Sequence, residues 1–178
     1  VSHANNGILG EVFNAVMVSY AFVENDVSRV VQKAMEWIPK DSEYYSVIRF
    51  AFECCREYED WHLALKACEE KYRKYNWIHA YPNACCEIIA LLYGHGSFEE
   101  TLHIITMCGI DVDCNAGSIM PILAVQEGKR VIPERLISPA FSRLDTYMRG
   151  KYRSITLEQL VDDTCDAIRR AKQKEEKR

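Results

Sequence analysis

Apolar residues recur at three- and four-residue spacing along nearly the whole chain, while strict period-2 alternation is almost absent. A chain patterned this way has little with which to build a sheet and buries its apolar side chains by packing helices. The spacing predicts an all-α domain, a compact bundle of about eight helices. Gly7 to Val23 is apolar on nearly every face (Ile8, Leu9, Val12, Phe13, Val16, Met17, Tyr20), the pattern of a buried core helix. Asp26 can cap a helix running to about Trp37, where Pro39 ends it. Ser42 can cap the next, with Val47, Ile48, Ala51, Phe52 and Cys55 inward, and Asp60 can start a fourth from Trp61 to about Tyr75. Pro82 suits the first turn of a fifth, which carries Ile88, Ile89, Leu91 and Leu92 and stops at Gly94 and Gly96. Ser97 and Glu100 read as a capping box ahead of Leu102 and Ile105, with Gly109 as a C-terminal stop.

A further helix is expected from near Asp111 to about Gln126, with a kink or a late start at Pro121. Residues 129–155 hold Pro133 and Pro139 and little periodicity, so they read as a long irregular connection or a set of short helical turns. Thr156 caps a last helix with Leu157, Leu160, Val161, Cys165 and Ile168 on one face, and 172–178 is a charged tail expected to fray. The 178 residues suffice for one domain with a single core. Because the chain begins at Val1, that domain is expected to be incomplete at its N-terminus.

Charge and cysteine usage narrow the function classes. Lys and Arg number 22 against 26 Asp and Glu, a net charge of −4 with no basic stripe, so no nucleic-acid partner is expected. No apolar run is long enough to span a bilayer, which argues against a membrane protein. Eight cysteines occur without a C-x-x-C knuckle, most of them in apolar helical stretches. They read as reduced, small hydrophobes, which favours a cytoplasmic location.

Chemistry concentrates in Gly109-Ile110-Asp111-Val112-Asp113-Cys114-Asn115-Ala116-Gly117. Two carboxylates one residue apart at a helix start can face one spot, and hard cations such as Mg²⁺ take such oxygens with waters completing the shell. The alternative is purely structural: Asp111 as a cap and Asp113 favoured in the first turn by the helix dipole.

The wider run YPNACCEIIALLYGHGSFEETLHIITMCGIDVDCNAG, Tyr81 to Gly117, resembles the C-terminal metal-binding region of the ADP-ribosylglycohydrolase family, which includes ADP-ribosyl-acceptor hydrolases. Leu91-Leu92-Tyr93-Gly94, Phe98-Glu99 and Asp111-x-Asp113-Cys114-Asn115 fall in the family's order, and Ser2-His3-Ala4-Asn5-Asn6-Gly7 resembles its S/T-H segment. Val131-Ile132-Pro133 and Leu144-Asp145-Thr146-Tyr147 look like its late segments, so the resemblance spans essentially the whole chain. It implies that Asp111 and Asp113 ligate a pair of Mg²⁺ ions, with Mn²⁺ as an option, and that Cys114 stands where many members use a Thr ligand. It also implies that His3 contacts ADP-ribose; Asn83, at a helix start beside the motif, is a second candidate for substrate binding. The implied substrate is an ADP-ribosylated side chain or small molecule.

Two departures stand beside the resemblance. Val112 replaces the usual Thr between the aspartates, and the family's T-D-D motif is absent; Asp162-Asp163-Thr164 has the letters in another order within the last helix. The missing ligands and the catalytic acid are therefore expected upstream of Val1, in an N-terminal half that acts as this chain's partner. Three functions follow as expectations. The first is the C-terminal part of a metal-dependent ADP-ribosyl hydrolase, inactive by itself. The second is a non-catalytic structural or ADP-ribose-binding member of the family. The third is a helical interaction domain without any connection to ADP-ribose.

Overall fold

The computed structural model describes residues 4–137 and 142–176. The chain divides into two compact units, Val1–Ile132 and Pro133–Arg178. The first consists of α1 (Asn6–Ala21), α2 (Val27–Met35), α3 (Glu43–Glu57), α4 (Trp61–Tyr72), α5 (Ala80–Tyr93), α6 (Phe98–Met107) and α7 (Val112–Glu127), followed by a 3-10 turn at Lys129–Val131. The second holds 3-10 turns at Glu134–Leu136 and Gly150–Arg153, strands β1 (Arg143–Asp145) and β2 (Ser154–Thr156), and helix α8 (Leu157–Glu175). The fold is all-α, as the periodicity predicts, with one small antiparallel strand pair added.

Helix starts follow the capping chemistry. Asp26 accepts from Ser28 N and Arg29 N, Ser42 from Tyr45 N, and Asp60 from His62 N. Thr156 and Gln159 form a reciprocal capping box at α8, which continues to Glu175 where fraying was expected from residue 172. Only half of the box expected at α6 forms. Ser97 Oγ accepts from Glu100 N, but Ser97 N donates to Gly94 O, so the donor that Glu100 would have satisfied is already committed. Helix α7 starts at Val112 and runs through Pro121, so the late start does not occur. The stretch 129–155, which shows no period in sequence, includes β1 within its short turns. Arg143, Leu144 and Asp145 pair with Thr156, Ile155 and Ser154, and three-residue strands are too short to show alternation.

Helix α5 is the centre of the first unit and packs against α1, α2, α3, α4, α6 and α7. Ten of its residues are buried, among them Ile88, Ile89 and Leu91, which meet Ile48 of α3, Ile104 and Ile105 of α6, and Ile119 and Ile122 of α7 in one core cluster. Each such fully buried aliphatic side chain contributes about 1.5–3 kcal/mol. The reading of α1 as buried on all faces is corrected. Phe13, Met17 and Ala21 face the core, while Ile8 and Phe22 are 49% and 73% exposed along a stripe that also includes Glu11, Ala15 and Ser19.

The α5–α6 junction depends on a missing side chain. A Cβ on Gly94 would collide with Oγ1 of the buried Thr101 and lie 2.7 Å from Ala90 O. Gly94→Ala should therefore destabilise the fold by roughly 1–3 kcal/mol, as overpacking does. By contrast, a methyl at Gly117 within α7 meets nothing, so Gly117→Ala should stabilise by roughly 0.5–1 kcal/mol. Thermal denaturation of the two variants should move in opposite directions.

Candidate active-site cleft

Three helices each turn one stripe toward a cleft of about 540 Å³. From α1 come Gly7, Gly10, Glu11 and Asn14; from α5 Ala80, Asn83, Ala84 and Glu87; from α7, with the residue preceding it, Asp111, Cys114, Asn115 and Ser118. Each set has the spacing i, i+3, i+4, i+7 of a single helix face. Side-chain contacts join the stripes rung by rung. Asn115 Nδ2 donates to Asn83 Oδ1 at 2.7 Å, and one turn further along Asn14 Nδ2 donates to Glu87 Oε1 at 3.3 Å with Ser118 alongside. Asn83 facing Asn115, and Glu87 facing Ser118, means that α5 and α7 run in the same direction along the cleft. Asp111 and His79 therefore lie at its outer end and Glu87 at its inner end.

At the outer end Asp111, Asp113 and Cys114 come together, each offering a ligand atom within 4.8 Å of the others. Asp111 occupies the N-cap position of α7 but makes no side-chain capping bond, so the purely structural reading of this residue is not what the helix displays. Its carboxylate instead takes a hydrogen bond from the Cys114 thiol, and that bond pushes the thiol pKa up. Among the described residues no Lys or Arg pairs with Asp111 or Asp113. Two carboxylate oxygens suit a hard divalent cation, whereas the thiol favours a softer one. The residues present thus fit one side of a divalent-metal site.

Asn83 is on the cleft wall, but its amide is engaged on every side. Nδ2 donates to Trp77 O at 2.8 Å and to His79 O at 2.9 Å, and Oδ1 accepts from Asn115. Its evident work is to hold the loop before α5 and the start of α7 in register. His3 lies outside the described residues. Asp163 is paired with Lys151 at 2.8 Å within the second unit, and Asp162 is exposed.

Sequence reasoning missed three residues of the cleft, His79, Asn14 and Glu87, and a fourth, Glu43, that supports its wall. His79 caps α5, its Nδ1 accepting from Tyr81 N at 3.2 Å, and it packs against the rings of Tyr75 and Tyr81. Glu43 accepts from Tyr81 Oη at 2.8 Å and from Tyr75 Oη at 3.3 Å, which braces that wall. Asn14 and Glu87 sit inside apolar helical runs, where a lone polar residue gives no sign of which way it faces. Only the helical offset of Glu87 from Asn83, one turn on, could have flagged it.

Glu87 is 5% exposed, and burial raises its carboxyl pKa from 4.5 to about 8, against smaller opposing contributions from Asn14 and Ser118. The same carboxyl, after burial itself, helps raise the pKa of Tyr44 on α3. The unfolded chain loses this proton near pH 4.5 and the folded chain only near 8, so stability falls as pH rises through that window. The loss is on the order of a few kcal/mol. Glu87→Gln removes the titration. The wild-type melting temperature should drop between pH 5 and pH 8.5 while that of the variant changes less, leaving the variant more stable at pH 8.5.

A family model described as ADP-ribosylglycohydrolase matches residues 1–174. No curated protein and no solved structure matches the chain.

Proposed function

The chain belongs to the ADP-ribosylglycohydrolase family, and from that premise we propose that it forms the metal-binding side of a hydrolase that releases ADP-ribose from a modified side chain or small molecule. The observation that supports this most directly is the grouping of Asp111, Asp113 and Cys114 at the open end of a cleft, with the Asp111 carboxylate not spent on capping. Asp111 and Asp113 would hold the divalent cation through hard oxygens, with Mg²⁺ the family's usual ion and Mn²⁺ better suited to the Cys114 thiol. When bound, such a cation supplies Lewis acidity and orients sugar hydroxyls.

The chain's own contribution is to fix where that happens. The Asn83–Asn115 bond pins the beginning of α7 against α5, so the two aspartates and the His79 wall flank the same opening. Three donors do not fill an octahedral shell, so waters, substrate or further carboxylates must complete it, and the three by themselves should bind weakly. Val112 offers no hydroxyl between the aspartates. Together with the thiol, it supports a second reading, an ADP-ribose-binding member of the family without hydrolysis.

The readings separate in one set of measurements. Release of ADP-ribose from an ADP-ribosylated substrate should require Mg²⁺ or Mn²⁺, stop with a chelator, and fall at least about a hundredfold in Asp111→Ala and Asp113→Ala. Metal-dependent ADP-ribose binding without release would favour the second reading. Undiminished release in the double variant would remove both aspartates from the site. Cys114→Thr should shift the preference from Mn²⁺ toward Mg²⁺, read as the ratio of the two activation constants.

A further inference from the structure

Helix α8 carries two adjacent rows of side chains at heptad spacing. Leu157, Val161, Thr164, Ile168 and Ala171 follow one another at offsets of four, three, four and three residues. Glu158, Asp162, Cys165, Arg169 and Lys172 repeat those offsets one position further on. That alternation belongs to helices that pair along their length. No residue of α8 is buried, and Leu157, Val161 and Ile168 are 48%, 52% and 52% exposed. Within the second unit the helix packs against β2, and Asp163 is tied to Lys151 at 2.8 Å. By helical period Asp163 lies across the apolar row from the charged one, so that contact leaves both rows open.

The charges of the second row are ordered. Two acids precede Cys165 and two bases follow it, with Glu158 and Lys172 each seven residues away. Among the described residues no ion pair engages Glu158, Asp162 or Lys172, and Arg169 pairs with Asp166 of its own helix in an exposed contact, a kind that contributes little. The helix dipole also favours early acids and late bases, but it acts within the first and last turns, and Asp162 and Arg169 lie beyond them. Such a row is complementary to itself when reversed. Laid antiparallel about a two-fold axis at Cys165, Glu158 of one copy stands opposite Lys172 of the other, and Asp162 comes beside Arg169. Parallel pairing would set acid against acid and base against base, which repel.

We infer that the exposed face of α8 is the contact through which two copies of this chain associate, antiparallel, with the apolar row as the seam and the acidic and basic halves crossing over. A second copy is the occupant because the sequence that satisfies this charge order is the same row reversed, as a two-fold contact requires. The helix is about 28 Å long. A seam of that length with a threonine at its middle is small for a specific interface, so the association is weak, with a Kd on the order of tens of micromolar. The inference rests on α8 alone and is independent of the metal and of hydrolysis.

Sedimentation equilibrium reads the association directly. At about 200 µM chain and about 20 mM salt the weight-average mass should lie well above the 20.6 kDa of one chain and fall toward it on dilution. The double variants Glu158→Lys/Asp162→Lys and Arg169→Glu/Lys172→Glu should each be monomeric. Their equimolar mixture should regain the wild-type mass, because acids again face bases at every position, and that recovery excludes misfolding as the cause of the loss. In a Cys114→Ser background a short bis-maleimide should join two chains through Cys165, and Cys165→Ser should remove the product. Coverage of this face by another part of the same chain would leave every sample monomeric and overturn the proposal. Association that survives both charge reversals, a mixture that stays monomeric, or a crosslinked dimer that persists without Cys165 would overturn it as well.

Discussion

Burial of α5 on all sides is the constraint from which the rest of the first unit follows. Six helices pack around it. A helix in that position can afford polar residues only where a neighbour satisfies them or where the packing leaves a gap. Both solutions occur on one stripe. Asn83 is satisfied completely, by Trp77 O, His79 O and Asn115, while Glu87 faces the end of a gap with incomplete partners. The cleft is the strip of α5 that its neighbours do not cover, and its chemistry is set by the two polar residues on that strip.

The Asn83–Asn115 pair carries this constraint outward to the aspartates. A single buried amide–amide bond fixes the register of α5 against α7, because sliding either helix by one residue would part the buried Asn83 Oδ1 from Asn115 Nδ2. Fixing that register also fixes the residues just before and after Val112. Asp111 is then held at the cleft opening by its backbone, which leaves its side chain available. A carboxylate engaged in capping would have spent an oxygen on the backbone N–H of Asp113 or Cys114. The site depends on Asp111 standing at a helix start without capping it.

Local chemistry was readable from sequence wherever a residue acts on its immediate neighbours. Asp26, Ser42, Asp60 and Thr156 cap the helices that their spacing assigns to them. The Asp111–Asp113–Cys114 grouping was readable for the same reason, since all three lie within four residues. Failures came where the deciding partner is distant in the chain. Asn14 and Glu87 are 73 residues apart, and nothing near either one indicates that they meet. The apolar circumference of α1 reads as full burial, yet its exposed stripe depends on which helices happen to lie alongside. Ser97 and Glu100 have the letters of a capping box, but the turn at Gly94 takes the donor first. Residues of β1 and β2 are paired across 154–156 and 143–145, a long-range match that two three-residue runs cannot announce.

The charge balance of the cleft ties its two ends together. Glu11, Glu87 and Asp111 line it with no Lys or Arg among the lining residues, and Asp113 adds a fourth acid beside the opening. Four ionised carboxylates around one cleft would repel one another and the phosphates of any nucleotide-like ligand. Protonation of Glu87 relieves that at the inner end, because its burial already favours the neutral form. At the outer end no Lys or Arg among the described residues pairs with Asp111 or Asp113, so no described side chain gives the same relief there. A phosphate-bearing ligand is therefore compatible with this cleft only when positive charge has been brought to its opening. The charge of the described walls thus points the same way as the coordination preferences of the donors.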